Sequence, residues 1–523
     1  MCAIAGCFSF QNLDPKPLVH QMLEGMLHRG YSFFEMSQPD PSMCLGANRL
    51  EIVDRPNGKQ PIPSWDKRFH VVLNGEIYNY QALRKRLLQQ GCLFKTETDT
   101  EVIANAISAW GIDKTLNEIS GMFAFGAWDN QEKILYLARD PLGIKPLYMA
   151  SLKQGFYFAS EIKGLNRAVS GEFIEYLSPG TLAIIKTQGK KEFKSFFSLP
   201  EKLPVSNSKA EDITPERLRS LISEAVQKRV NTDLPVAVLL SGGIDSSIIF
   251  YEAQKFHQDV TPFVIGDEKA EDVISAKKFC KELGKKIHHI PFSVNDALSL
   301  IEETIEVIET FEPNHIRAGV ASLALAKAIH AEGFRIALCG EGADELFAGY
   351  PEFILAASKG ISKEEILEQQ LNFIKDLHRT QLQRVDRTGM ANTLEIRTPF
   401  LDKEIIKLAL KLPFSYKLRE ITSGVWTNKW ILREAYRGIL PDWLVDRPKC
   451  VLSEGAGLGA NGPEGPFHEY AHKVMKPDEV IRLQKEFPEY DIKNAEEALY
   501  FSIFIKKFPG IKTGLPRPAV TRR

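Results

Sequence analysis

Two kinds of hydrophobic patterning divide this chain. In the first part the apolar positions come in short runs rich in β-branched and aromatic side chains: FHVVLNGEIYNY at 69–80, KILYLARD at 133–140 and QGFYFASEI at 154–162, each punctuated by Gly, Asn or Pro. Such runs predict strands. Beyond residue 214 the period changes. Thr214 can cap a helix with Pro215 at its first position, and Leu218, Leu221, Ile222, Ala225 and Val226 follow at helical spacing. PVAVLL at 235–240 is a continuous apolar run suited to a buried parallel strand. A helical stretch at 321–331 then precedes the strand RIALC at 335–339, so the second part predicts an α/β unit. The segment between, FSLPEKLPVSNSKAEDITPE at 197–216, is rich in Pro, Ser and charge and poor in large apolar residues. It reads as a linker, with domains expected at 1–205 and 206–523.

Composition narrows the picture mainly by exclusion. A chain of 523 residues exceeds one core. The net charge is -1 and the basic residues are scattered, so neither nucleic acid nor a membrane surface is an expected partner. No basic and apolar leader opens the chain and no apolar run approaches a membrane span, which makes a cytoplasmic location the expectation. The seven cysteines, Cys2, Cys7, Cys44, Cys92, Cys280, Cys339 and Cys450, are widely spaced without a CxxC pair, which disfavours zinc and a disulfide framework.

Cys2 stands apart from that set. Removal of Met1 from MCAIAGCFSF would leave a thiol and a free α-amine on one residue, with ordinary pKa values of about 8.5 and about 8. One group could then take the proton of the other, giving a nucleophile with its own base. The alternative is a small apolar residue in a first strand.

In the second part, SGGIDSS at 241–247 follows the PVAVLL strand and leads into the helical IIFYEAQKF. Gly242 and Gly243 let the backbone approach a polyanion, the helix start offers N–H groups, and Ser241, Ser246 and Ser247 add hydroxyl donors. Asp245 makes sense in such a site if it holds the magnesium that travels with ATP. There is no GxxxxGK[ST], so this is not a Walker loop, and S-G-G-x-D-S arises by chance in about one chain in a thousand of this length. The motif resembles the PP-loop of ATP pyrophosphatases, which cleave ATP between the α and β phosphates. CGEGADELFAGY at 339–350 repeats the plan of strand, glycine-rich turn and carboxylates. Loops at the carboxyl ends of parallel strands converge on one crevice, so Asp344 could share the metal with Asp245, and Glu341 could act as a base or proton shuttle.

Taken in order, Cys2 with AIAG, NRLEIVD (48–54), LNGEIYNY (73–80), TDTEVI (98–103), ARDPLGIKPLY (138–148), LLSGGIDSS, CGEGADELFAGY, RVDRTGMANTLEIRTPFLD (384–402) and RPKCVLSEGAG (447–457) resemble the glutamine-hydrolysing asparagine synthetases. The resemblance implies a two-domain fold: an N-terminal nucleophile hydrolase αββα sandwich, then an α/β PP-loop ATP pyrophosphatase domain. It implies that Cys2 attacks the glutamine amide, that the Asn74 side chain and Gly75 N–H form the oxyanion hole, and that Arg49, Glu76 and Asp99 bind glutamine. It further implies that Leu239, Ser241, Gly242, Gly243, Asp245, Ser246, Val264, Cys339 and Gly340 hold ATP, with magnesium on Asp245 and Asp344. Lys449 would neutralise phosphate charge and Arg317 would bind the acceptor carboxylate. Ammonia would pass between the sites through a mostly apolar tunnel. The partners so implied are glutamine, ATP and aspartate or a similar carboxylate, and a homodimer is allowed.

The chain departs from the family pattern at three places. It has HRGYS at 28–32 where HRGPD is usual, Cys339 where serine is common, and EPNHIRAG at 312–319 where threonines commonly precede Ile-Arg. The last change falls in the expected acceptor pocket, which keeps open an amidotransferase acting on a different carboxylate. An intramolecular ligase of the β-lactam synthetase type is opposed by Cys2 and Glu341.

Overall fold

The protein is described here by a computed structural model of residues 2–513, apart from residue 12 and the segments 31–33, 207–212 and 460–464. The fate of Met1, the Tyr31 and Ser32 departures and the middle of the expected linker lie outside the described residues. The chain divides into two compact units: Met1–Ser198 with Met390–Thr393 and Ile505–Pro516, and Leu199–Gly389 with Leu394–Phe504.

The first unit is built on two sheets. One runs, in spatial order, Glu35–Asp40, Met43–Arg49, Cys2–Ser9, Gly155–Ala159, Tyr148–Leu152, Phe173–Tyr176 and Lys512–Thr513. The other runs Lys191–Ser195, Thr181–Ile185, Ile134–Arg139, Gly121–Asp129, Phe69–Ile77 and Ile62–Pro63. The period of two along a strand explains their stacking. Cys2, Ile4 and Phe8 pack with Val72, Ala124 and Trp128 of the other sheet, while Ala3, Ala5 and Cys7 point the opposite way and pack with Val19, Leu23 and Leu165 of flanking helices. On the far side, Val71 and Leu73 pack with Leu83, Leu87 and Ile103 of helices Tyr80–Gln89 and Asp99–Trp110. The result is an αββα sandwich with an aliphatic and aromatic layer between the sheets.

The second unit holds a five-stranded sheet in the order His288–Pro291, Val260–Gly266, Val236–Leu239, Ile336–Leu338, Glu395–Arg397. Every pairing in it is parallel. Val236–Leu239 comes first in the chain of these five and lies third in space, so the winding reverses between it and Ile336–Leu338. The helix expected after Thr214 is Pro215–Arg229, and the Thr214 side chain accepts from Arg217 N–H as a cap. Helices Ile244–Phe256 and Pro313–Ala331 supply other connections. Among the described residues no helix is long and apolar enough to cross a membrane.

Candidate active sites

In the first unit, antiparallel pairing sets Cys2 directly opposite Arg49, and Asn74 and Gly75 lie on the strand Phe69–Ile77 of the facing sheet. The Cys2 backbone nitrogen donates to Asn74 Oδ1 at 3.2 Å. Asn74 is fully buried, and its Nδ2 has no hydrogen-bond partner. An amide donor left unpaired in a dry interior costs stability unless a ligand takes it up, and here it belongs to the carboxamide that holds Cys2. Gly75 has φ +146°, and a Cβ there would strike the Met122 carbonyl, so only glycine fits. Burial pushes the Cys2 thiol above its ordinary value, while the Arg49 charge acts in the opposite sense.

The expected glutamine-binding residues are arranged around this point. Arg49 donates from Nη1 to the Arg55 carbonyl at 3.1 Å and from Nη2 to the carbonyls of Val53 and Asp54, which anchors its guanidinium on the 53–55 segment. Asp99 opens the helix capped by Thr98, and its Oδ2 accepts from Ile77 N–H at 2.9 Å. Glu76 and Asp99 are both buried. Four further residues contribute to the site. Gln60 Nε2 lies 3.7 Å from Cys2 Sγ and donates to Thr100 Oγ1 at 3.1 Å. The buried Arg29 donates from Nε to the Cys2 carbonyl at 3.2 Å and from Nη1 to Glu161 Oε1 at 2.6 Å, and His28 Nε2 lies 2.9 Å from Glu161 Oε2. Arg29, with His28 on the same Glu161 carboxylate, thus braces Cys2 from the HRG segment.

In the second unit, the SGGIDSS and CGEGAD loops leave the two strands that flank the reversal of winding, the place where doubly wound sheets bind ligands. They approach closely: a Cβ on Gly340 would lie 2.9 Å from Asp245 Cβ and 3.0 Å from Ser246 N. Ser246 Oγ accepts from Ser241 N–H at 3.1 Å, which closes the loop over the start of helix Ile244–Phe256. Gly242 has φ +67°, a backbone conformation that favours glycine.

The two loops bring Asp245 and Asp344 onto one ammonium. Lys429 Nζ lies 2.5 Å from Asp245 Oδ2 and 2.6 Å from Asp344 Oδ1, and Lys449 Nζ lies 2.7 Å from Asp344 Oδ2. Burial works against a charge on Asp344, yet the two lysines hold its carboxyl well below the usual range. Burial wins at Asp245 and raises it, against the pull of Lys429. Burial also opposes the Lys449 ammonium, but Asp344 and Asp245 outweigh it and raise its pKa.

Two cavities of about 130 Å³ each open beside this cluster. Leu239, Ser241, Asp245, Ser246, Val264, Cys339 and Gly340 line one of them; Gly242 and Gly243 do not, and lie in the turn behind. The other takes Asn314, His315 and Arg317. Glu341, Asp344, Arg384, Lys449 and Leu452 line both, so the cavities share a wall. Arg317 is held by the buried Glu496, through Nε to Oε1 at 2.9 Å and Nη2 to Oε2, and Tyr500 Oη donates to the same carboxylate at 3.0 Å. Arg384 pairs with Glu341 and donates to Ser322 Oγ at 2.6 Å.

Known proteins are similar to this chain in sequence across both units. Residues 1–209 match the pattern of a glutamine amidotransferase domain, and 217–368 with 358–486 match that of asparagine synthase. The glutamine-hydrolyzing asparagine synthetase 2 of Lotus japonicus is 31% identical across 97% of this chain and 85% of its own length. The chain belongs to the asparagine synthase family. Glutamine-hydrolyzing asparagine synthetase 1 of Arabidopsis thaliana is also 31% identical, across 97% of this chain and 86% of its own length, and synthetase 3 of that plant 33%, across 97% and 87%. The αββα unit is accordingly the amidotransferase sandwich that the resemblance implied, and the parallel sheet is the PP-loop unit of an asparagine synthase.

Within this asparagine synthase the sequence singled out the loops, and it missed the residues that reach them from a distance. Lys429 stands in TNKWILRE with no glycine or motif to mark it, on a left-handed backbone (φ 51°) that aims it inward. Arg447 opens RPKCVLSEGAG, and no local pattern there marks its partner. It joins Asp272 at 2.8 Å to the Ser241 carbonyl at 3.4 Å and so ties the phosphate loop to helix Glu271–Glu282.

Proposed function

We propose that this protein is a glutamine-dependent asparagine synthetase in which the first unit releases ammonia and the second makes the acceptor reactive. The observation that carries the reading is the wall shared by the two cavities. An acyl adenylate forms only where the α-phosphate of ATP meets the acceptor carboxylate, and two cavities of equal volume that share a wall beside the loops of the winding reversal suit that meeting.

In the first unit the Cys2 thiol attacks the side-chain amide of glutamine, its own freed α-amine takes the thiol proton and returns it to the departing ammonia, and water hydrolyses the glutamyl thioester to glutamate. Asn74 Nδ2, buried without a partner, and Gly75 N–H receive the charge that develops on the amide oxygen. Arg49 takes the glutamine α-carboxylate, while Glu76 and Asp99 take its ammonium.

In the second unit the β-carboxylate of aspartate attacks the α-phosphorus of ATP and pyrophosphate leaves. Ammonia then attacks the β-aspartyl carbonyl, Glu341 takes a proton from it, and AMP departs, leaving asparagine. Lys449 steadies the phosphates and Arg317 the acceptor's α-carboxylate. Magnesium fits Asp245 and Asp344, since Asp245 Oδ1 is buried without a hydrogen-bond partner, and bound there it would neutralise phosphate charge.

A mass-spectrometric assay with Mg-ATP, amide-labelled glutamine and a panel of carboxylates tests the reading. Labelled asparagine formed with AMP and pyrophosphate in equal amounts is expected with aspartate. Glutamate release without aspartate-dependent AMP would sink it.

A further inference from the structure

The charges lining the acceptor cavity are largely spoken for. Arg317 is held by Glu496, Lys449 by Asp344, and Arg384 by Glu341. Among the described residues three buried side-chain atoms on its wall have no hydrogen-bond partner: Asp344 Oδ1, which the Lys429 ammonium neutralises at 2.6 Å, and Asp376 Oδ2 and His315 Nδ1, which no opposite charge so meets. Asp376 is 6% exposed, and both contacts from Arg379, Nε at 2.9 Å and Nη2 at 2.6 Å, fall on its other oxygen, Oδ1. The backbone is pinned as well, with Thr380 Oγ1 donating to the Asp376 carbonyl at 3.0 Å. Asp376 is also the last residue of helix Lys363–Asp376, where the helix dipole disfavours a carboxylate, so helix stability does not account for it. His315 is neutral, because burial and then Arg384 and Arg379 push it down to about 4, and its ring adds no positive charge to the wall.

We infer that Asp376 is an acceptor-binding residue whose free Oδ2 receives the ammonium group of the amino acid being amidated, with His315 Nδ1 beside it on the same wall. This rests on the asparagine-forming reading above and extends it. The acceptor is recognised as a zwitterion: its α-carboxylate by Arg317, its ammonium by Asp376, and its remaining carboxylate is left for the wall shared with ATP. A carboxylate oxygen already desolvated and held in place is well suited to a cationic N–H donor. It also rejects dicarboxylates that lack the amine, because they would leave it unpaired.

The test compares AMP formation with aspartate and with succinate, the same dicarboxylate without its amine. The wild type should prefer aspartate strongly in kcat/KM. Asp376→Asn should raise the KM for aspartate by about tenfold to a hundredfold, change succinate little, and so collapse the preference. Asp376→Glu should restore part of it, and glutamine hydrolysis in the first unit should stay at the wild-type rate in both variants. Equal use of aspartate and succinate by the wild type would overturn the inference without any variant, and so would an Asp376→Asn enzyme that loses both acceptors by the same factor. A wild type that makes no aspartate-dependent AMP overturns the asparagine-forming reading itself, and the inference with it.

Discussion

The backbone nitrogen of Cys2 donates to Asn74 Oδ1 across 3.2 Å, linking the strand Cys2–Ser9 of one sheet to the strand Phe69–Ile77 of the other. On the proposed mechanism this one contact inside the first unit sets the nucleophile against its oxyanion donor, and the ATP chemistry should not depend on it. Cys2→Ala should lower glutamine-dependent asparagine formation by about a thousandfold or more while ammonium-dependent formation is retained. Parallel assays with the two nitrogen sources decide this, and equal loss of both would contradict the division of labour.

Asn74 should act on the transition state more than on binding. Loss of its Nδ2 in Asn74→Ala removes one of two donors to the developing oxyanion and should lower the glutaminase kcat by about 100-fold to 1,000-fold, with a much smaller change in KM. Steady-state glutamate release reads both constants. A pure KM effect would reassign Asn74 to substrate binding.

Lys429 neutralises two buried carboxylates at once. Lys429→Met should destabilise the second unit by roughly 3–5 kcal/mol in the presence of a chelator, because Asp245 and Asp344 then face each other without their shared counter-ion. Magnesium should restore part of that stability in the variant and do little for the wild type without ATP. Thermal melting with chelator and with millimolar magnesium measures the difference, and no gain in the variant would argue against a metal on this pair.

Glu345 provides a pH signature. Burial, then Asp344 and Glu341, push it up to about 7, and Tyr350 Oη donates to its Oε1 at 2.5 Å. Its folded pKa lies above the unfolded value, so the native state holds the extra proton and stability falls as pH rises from about 4.5 to about 7. The penalty at pH 8 is about 3 kcal/mol. Glu345→Gln should therefore gain stability over the wild type as pH rises from 5 to 8. Urea unfolding at both values checks the sign, and a gap that stays constant would show that Glu345 does not titrate in this interval.

Much of this protein was legible in its residues. The short apolar and aromatic runs at 69–80 and 133–140 appear as strands Phe69–Ile77 and Ile134–Arg139, and Thr214 caps the helix it was expected to cap. Cys2, Asn74, Asp245 and Asp344 lie in or beside short motifs whose glycines betray a close backbone approach. Such information is local, because a turn, a cap or a phosphate loop is built from neighbours in the chain.

What tertiary structure alone decided is the partner each charge keeps. Lys429 meets Asp245 across 184 positions and Arg317 meets Glu496 across 179, and no periodicity or motif encodes such separations. No motif in the sequence marks Asp376. Packing buried it, gave one of its oxygens to Arg379 and left the other open on the cavity wall. The sequence determined which chemistry the chain carries, because reactive groups announce themselves through local spacing. Only the folded chain decided which of those groups are neutralised and which remain open to a substrate, because burial and pairing are properties of the whole packed unit.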